Sequence, residues 1–275
     1  MDNFVELNPG FFVLKDFAQC FGKLNLASID KIFAFNKGEF LHKKNLAGFR
    51  ERIKFEIENP KTTLYLKRYN NAPAKVQFKN WLNQRKRLSL AACDMEPAEN
   101  LRKLGINTPR TIAFGQEWNG LFEKRSFIIT EQIPDSFKLE DKLPREKDFI
   151  KKLAIFIKKF HDTGFRHRDL YLCHIFCDPK TQFTLIDLAR AFKPLFFSKK
   201  YLIKDLAELY YSAPGNKISK ADKLRFFLFY LRKEKLSFSD RMMIRQIKAK
   251  AKRMARHDKK HNRPVPYKMN PVRPL

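Results

Sequence analysis

Four charged fragments, in a set order, carry the chemistry of this sequence. Lys67 lies in TLYLKRY, a run of β-forming residues, and Glu96 lies in EPAENL about thirty residues later. His167-Arg168-Asp169-Leu170 follows an amphipathic stretch, and Asp187 stands in the short apolar run LIDL. Singly, each has a plain reading: a strand lysine usually faces solvent, an apolar run with a terminal Asp is usually a core strand, and HRDL occurs by chance. Together and in this order they suit phosphoryl transfer, which needs charge neutralisation on three oxygens more than covalent help. An ammonium held by a carboxylate contacts the α- and β-phosphates. Mg2+ is a hard cation that takes oxygen ligands, which a strand-end aspartate supplies. The accepting hydroxyl needs a nearby carboxylate to take its proton and aim its lone pair. The eighteen residues from Asp169 to Asp187 leave room for a β-hairpin between them.

The elements that must position these residues change character along the chain. Residues 1–30 are mixed. Ile32 to Phe35 reads as a short strand, and Arg52 to Ile57 alternates charged with apolar residues, as a half-buried strand does. A Glu58-Asn59-Pro60-Lys61 turn leads into the Lys67 strand. Residues 72–95 are basic and partly helical; Pro97 fits the first turn of a helix running to Leu104 and closed by Gly105. Arg110 to Phe114 and Arg125 to Thr130 read as strands, and Asp135 to Asp148 as a polar connection. Phe149 to Phe160 then has helical periodicity, Phe183 to Leu188 reads as a strand, and helices are expected over 199–212, 219–233 and 239–256. Strands first and helices after predict a bilobed α+β protein: residues 1–134 with the nucleotide-binding strands, and residues 135–275 helical with the catalytic loop.

Composition bounds the alternatives. The 275 residues are 44% hydrophobic, with 28 Phe, which excludes a disordered chain. A net charge of +28 predicts a polyanionic partner. The N-terminus carries acids where a secretory signal needs bases, and no apolar run is long enough to span a membrane, so a cytoplasmic location is expected. Cys20, Cys93, Cys173 and Cys177 form no CxxC pair and read as free thiols. Cys173, His174, Cys177 and His167 lie close in sequence but lack the second ligand pair of a zinc site.

The segments HRDLYLCHIF and LIDLARA make the resemblance specific. They resemble the lipopolysaccharide-core kinases, the WaaP-type heptose kinases and the related Kdo kinases, which carry HRD-x-Y-x-CH and ID-x-x-RA segments. LGINTP, SFIITE and KDLAELYYS also match, so the likeness runs from about Arg50 to Leu231. It implies a protein-kinase-like fold, with a small antiparallel-sheet N-lobe and a mostly helical C-lobe. It implies ATP and Mg2+ as cofactors, Asp169 as catalytic base beside His167 and Arg168, Asp187 as metal ligand and Lys67 as phosphate-binding lysine. Thr130, Glu131 and Ile133 would lie in the hinge whose backbone meets adenine. Arg190 would brace the metal loop or contact phosphate, and Arg168 would pair with an acid or a phosphate.

Three features depart from protein kinases. His174 stands where they place a metal-binding Asn; it either positions the loop by hydrogen bonds, the favoured reading, or meets the nucleotide's metal. No G-x-G-x-x-G is present, so Lys43, Lys44 and Arg50 are candidates to cover the phosphates. The carboxylate that holds Lys67 is taken as Glu96, with Asp94 and Glu99 as alternatives.

Two basic segments remain. Arg241 to Arg263 holds ten Lys or Arg and one acid, with Met242, Met243, Ile247 and Met254 on a candidate apolar face. Lys79 to Arg87 is a second cluster around Trp81. Each is either a solvated basic face with packing anchors or a contact with an anionic membrane or glycolipid. The expected activity is ATP-dependent phosphorylation of a sugar hydroxyl, heptose or Kdo, on the lipopolysaccharide inner core or a similar glycolipid. The rivals are a kinase of another acceptor and a non-catalytic basic module of kinase-like fold. Nucleic acid is disfavoured, because no base-stacking aromatic stripe is present.

Overall fold

The computed structural model describes residues 3–41, 48–144, 148–263 and 265–266. The chain forms two compact units: Met1–Lys103 with Thr108–Ile133 and Leu188–Arg190, and Leu104–Asn107 with Pro134–Asp187 and Ala191–Leu275.

The first unit is built on a seven-stranded antiparallel sheet in the order β1-β2-β6-β7-β5-β4-β3. Its strands are β1 (Phe4–Asn8), β2 (Phe11–Leu14), β3 (Glu39–Phe40), β4 (Arg50–Glu58), β5 (Lys61–Asn70), β6 (Thr111–Asn119) and β7 (Phe122–Glu131). Its helices are α1 (Lys15–Lys23), α2 (Ile29–Ala34), α3 (Ala74–Gln84) and α4 (Leu90–Lys103). The two-residue period of β5 separates its faces. Leu64 and Leu66 join Phe11, Phe21, Ile32 and Phe127 in one core, on the face of α1 and α2. Tyr69 turns the other way, into a core with Leu90, Ala91 and Met95 of α4. Lys67 shares the parity of Tyr69 and therefore faces α4.

Two local expectations are corrected in this unit. Residues 32–35 are not a strand; they end helix α2, whose Ser28 cap accepts from Lys31 N at 3.3 Å. The buried Arg68 guanidinium donates to the carbonyls of Ile32, Phe33 and Phe35 at 2.8, 2.9 and 2.8 Å, which satisfies the last turn of that helix. Pro97 is also not in a first turn. Helix α4 begins seven residues earlier, at Leu90, because Glu123, Ser126 and Ser89 side chains accept from the amides of Leu90, Ala91 and Ala92. Burial raises the Glu123 carboxyl above its usual range.

The second unit contains the small antiparallel sheet β8 (Phe137–Lys138), β9 (Ile175–Cys177) and β10 (Phe183–Leu185), in the order β10-β9-β8. Strand β8 lies in the stretch read as a polar connection; it is too short for a period-two signal. The strand read over 183–188 stops at Leu185, since Asp187 takes a left-handed φ of 58° and Leu188–Arg190 forms a 3-10 turn. Among the described residues the unit also holds four α-helices: α5 (Phe149–Asp162), α6 (Ser198–Ser212), α7 (Lys220–Leu231) and α8 (Phe238–Lys260). Capping boxes at Ser219/Asp222 and Ser237/Asp240 start α7 and α8. The apolar stripe of α8 is taken up by packing: Ile244, Ile247, Ala251 and Ala255 are buried, the last two in one cluster with Tyr211. Among the described residues no helix is long and apolar enough to cross a membrane.

Candidate active site

In the first unit the lysine and its partner are set by sheet and helix register. Lys67 Nζ lies 2.5 Å from Asp94 Oδ2, with side-chain exposures of only 18% and 8%. Asp94 sits on the face of α4 that buries Leu90, Ala91, Ala98 and Leu101, at the i−4, i−3, i+4 and i+7 positions. Glu96, about 200° further around the helix, pairs instead with Lys86 at 2.6 Å. Glu99 pairs with Arg102 at 3.0 Å. The partner of Lys67 is therefore Asp94, which corrects the assignment to Glu96; two-residue spacing on a helix cannot put both acids on one face. Thr130 and Glu131, expected at the hinge, end β7, opposite Tyr65 and Leu64. The amides of Glu131 and Gln132 are used by Arg110 O and Thr63 O, both at 2.9 Å. Ile133 follows, half-buried. Arg50 lies over the Tyr69 ring at 5.2 Å, while Lys43 and Lys44 fall outside the described residues. Arg190 ends its 3-10 turn, exposed.

In the second unit Asp169, His174 and Asp187 converge. One ligand atom from each lies within 4.8 Å of the others. His174 Nδ1 is 2.7 Å from the Asp169 carbonyl, which can only accept, so Nδ1 carries the proton. The opposite ring nitrogen then faces Asp187 Oδ2 at 3.6 Å. His174 O accepts from Ile186 N at 3.0 Å, and His167 Nε2 donates to Ile186 O at 3.0 Å. The two imidazoles stack with centroids 5.9 Å apart. Burial lowers the His167 pKa, which keeps that ring neutral. Both histidines thus tie the HRD segment to the strand end that presents Asp187. The donor set fits a hard divalent cation through its two carboxylates; imidazole is the poorer ligand, and His174 already has a hydrogen-bonding task.

The shape of the HRD segment is imposed by α6. Asp205 accepts from His167 N at 2.8 Å and Arg168 N at 2.7 Å. Glu208 accepts from Leu170 N at 3.1 Å, and Ser212 Oγ from Leu172 N at 3.0 Å. Positions i, i+3 and i+7 form one stripe on a helix. Lys204 Nζ bridges Arg168 O and Glu208 Oε1. These bonds hold Arg168 at a φ of 65°, with its guanidinium over the rings of Phe192 and Tyr201 at 5.1 and 5.8 Å. Behind the stripe, Tyr230 donates to His161 Nδ1 at 2.8 Å, and His161 Nε2 faces Asp205 at 3.4 Å. Burial raises the Asp205 pKa, but the bonds from His161 and the His167 amide outweigh it and hold the carboxylate below its usual range. Burial pushes the Glu208 carboxyl up to about 7, with Lys204 only partly opposing it. Sequence reasoning missed Asp205, Glu208 and Ser212. Their spacing within KDLAELYYS is visible, but their partners are backbone amides, which leave no trace in residue type.

Residues 62–230 match the model of the lipopolysaccharide kinase (Kdo/WaaP) family. The chain is 27% identical over 218 residues to the lipopolysaccharide core heptose(I) kinase WaaP of Escherichia coli K12, covering 70% of this chain and 82% of that protein. It is 29% identical over 96 residues to the 3-deoxy-D-manno-octulosonic acid kinase of Vibrio cholerae, covering 34% of this chain and 40% of that protein. A solved structure of WaaP in complex with acyl carrier protein aligns over 83% of this chain and 91% of that one, with a TM-score of 0.59 and 22% identity. That likeness shows the kinase-like α+β fold. With the family model covering well over half its length, this chain is a member of the lipopolysaccharide kinase (Kdo/WaaP) family.

Proposed function

We propose that this protein transfers the γ-phosphoryl group of ATP to a hydroxyl of heptose or Kdo in the inner core of lipopolysaccharide. The observation that supports this most is the convergence of Asp169, His174 and Asp187 on one point, held by the bonds of the HRD segment. Asp169 accepts the sugar hydroxyl's proton and aims its oxygen at the phosphorus. Asp187 would hold Mg2+, which would neutralise charge on the phosphate oxygens. Lys67, oriented by Asp94, contacts the α- and β-phosphates, and His174 fixes the backbone at Asp169. Transfer is in line, so the segment's rigidity supplies much of the rate by positioning. The acceptor is an amphiphile, and the excess of bases suits its presentation at an anionic membrane face.

Purified protein with labelled ATP, Mg2+ and lipopolysaccharide stripped of core phosphate tests the reading. Label should enter the glycolipid, and Asp169→Asn should lower kcat by roughly 10²–10⁴ while the protein stays folded. ATP binding without transfer to any stripped core would overturn it in favour of a non-catalytic module.

A further inference from the structure

We propose that α3 and the β6–β7 turn form a platform that seats the protein on an anionic bilayer, with Phe78, Leu82 and Leu121 entering the interfacial layer. This deepens, and rests on, the membrane presentation proposed above. The platform is rigid on its inner side. The buried side chain of Gln77 donates to Ala72 O at 2.8 Å and Glu123 O at 3.0 Å, and accepts from Glu123 N at 2.8 Å. Trp81, one turn on, donates to Leu88 O at 2.9 Å and stacks on Phe122 with centroids 5.5 Å apart. Arg87 donates to Gly120 O at 2.7 Å and Leu121 O at 3.0 Å, and lies over Trp118 at 4.2 Å. Helix and turn are therefore fastened together.

Both helix and turn carry exposed apolar side chains: Phe78 55%, Leu82 66%, Leu121 59% and Phe122 36%. Phe78 and Leu82 are one turn apart on a single stripe, and exposed Lys75 and Lys79 flank it with the same spacing. Residues 72–93 contain five bases and no acid. The nearest acid beyond them in sequence, Asp94, is held by Lys67. Leu, Phe and Trp beside Lys and Arg is the composition of helices that lie in a membrane interface. Lysine stems reach past the apolar layer and keep their ammonium groups at the headgroups. Lys86 is taken up by Glu96 at 2.6 Å; Lys75 and Lys79 are point charges rather than planar forks, and they suit a fluid anionic surface better than the fixed carboxylates of a protein partner. The basic helix α8 buries the apolar stripe of Ile244, Ile247, Ala251 and Ala255 along its length, and its exposed apolar residues, Phe238 and Met242, stand only in its first turns.

The test uses the full chain and vesicles of phosphatidylglycerol with phosphatidylethanolamine, against phosphatidylcholine vesicles. The sequence holds two Trp, so Trp118→Phe leaves Trp81 as sole reporter. The protein should sediment with the anionic vesicles only, and brominated acyl chains should quench Trp81. Phe78→Ser with Leu82→Ser should weaken partitioning at least about tenfold. Lys75→Gln and Lys79→Gln should each weaken it roughly fivefold at low salt, and much less at high salt. Both residue pairs are exposed, so folding is checked by an unchanged melting curve. If the parent protein does not bind anionic vesicles, membrane presentation itself fails. If it binds, but the serine variant binds equally or Trp81 is not quenched, the contact lies elsewhere and only the platform is refuted.

Discussion

Replacing Asp94 by asparagine, beside Glu96 by glutamine as its control, separates the two acids that compete on paper for Lys67. The substitution Asp94→Asn would keep the shape and one oxygen acceptor but remove the charge 2.5 Å from Lys67 Nζ. Lys67 is 18% exposed, so its ammonium has little water to turn to. Breaking a fully buried pair costs roughly 3–5 kcal/mol, and the residual exposure here brings the expectation to about 3 kcal/mol. That corresponds to a fall in Tm of about 6–12 °C. The Glu96–Lys86 pair is 26% and 61% exposed, so Glu96→Gln should cost about 0–1 kcal/mol. Thermal unfolding of the parent and the two variants gives the first readout, and the KM for ATP in the phosphate-transfer assay gives the second. Asp94→Asn should raise that KM, because a lysine held less firmly samples rotamers in which it no longer meets phosphate, while Glu96→Gln should leave it alone. Equal losses in the two variants, or an unchanged Tm and KM for Asp94→Asn, would refute the assignment of Asp94.

Two further outcomes concern α6. Asp205→Asn leaves the amides of His167 and Arg168 sharing one neutral acceptor, so it should cost about 2–4 kcal/mol and lower kcat more than it raises the KM for ATP; unchanged melting and kcat would show that the segment holds its shape without this carboxylate. The Glu208 pKa is raised from its ordinary 4.5 to about 7, so the folded protein holds a proton that the unfolded chain releases between those values, and stability falls by about 3 kcal/mol as pH rises through the window. Glu208→Gln should flatten the Tm profile between those two pH values, and a slope equal to the parent's would contradict the buried-carboxylate account.

The order of Lys67, Asp169 and Asp187 along the chain is legible because each stands in a segment with its own residue signature. The hairpin between the two aspartates is legible from their spacing. What stays hidden depends on partners distant in sequence. Helix α2 reads as a strand until Arg68, more than thirty residues away, supplies donors for its last carbonyls. The start of α4 is set by Glu123 and Ser126 from β7, and without them Pro97 looks like the natural first turn. That misplaced start hides the helical register, and with it the reason that Asp94 rather than Glu96 points at the sheet. The pair β1 and β2 is short and lies at the sheet's end, where period-two patterning is faint.

The row of acceptors on α6 has a consequence for motion. The amides of His167, Arg168, Leu170 and Leu172 are bonded to one helix rather than to water. Their hydrogen exchange should follow the opening of that helix as a single cooperative event, not the local fraying usual for a surface connection. Residue 169 is thus carried on a stretch whose conformational entropy was surrendered when the chain folded, so an arriving substrate meets a ledge that is already ordered.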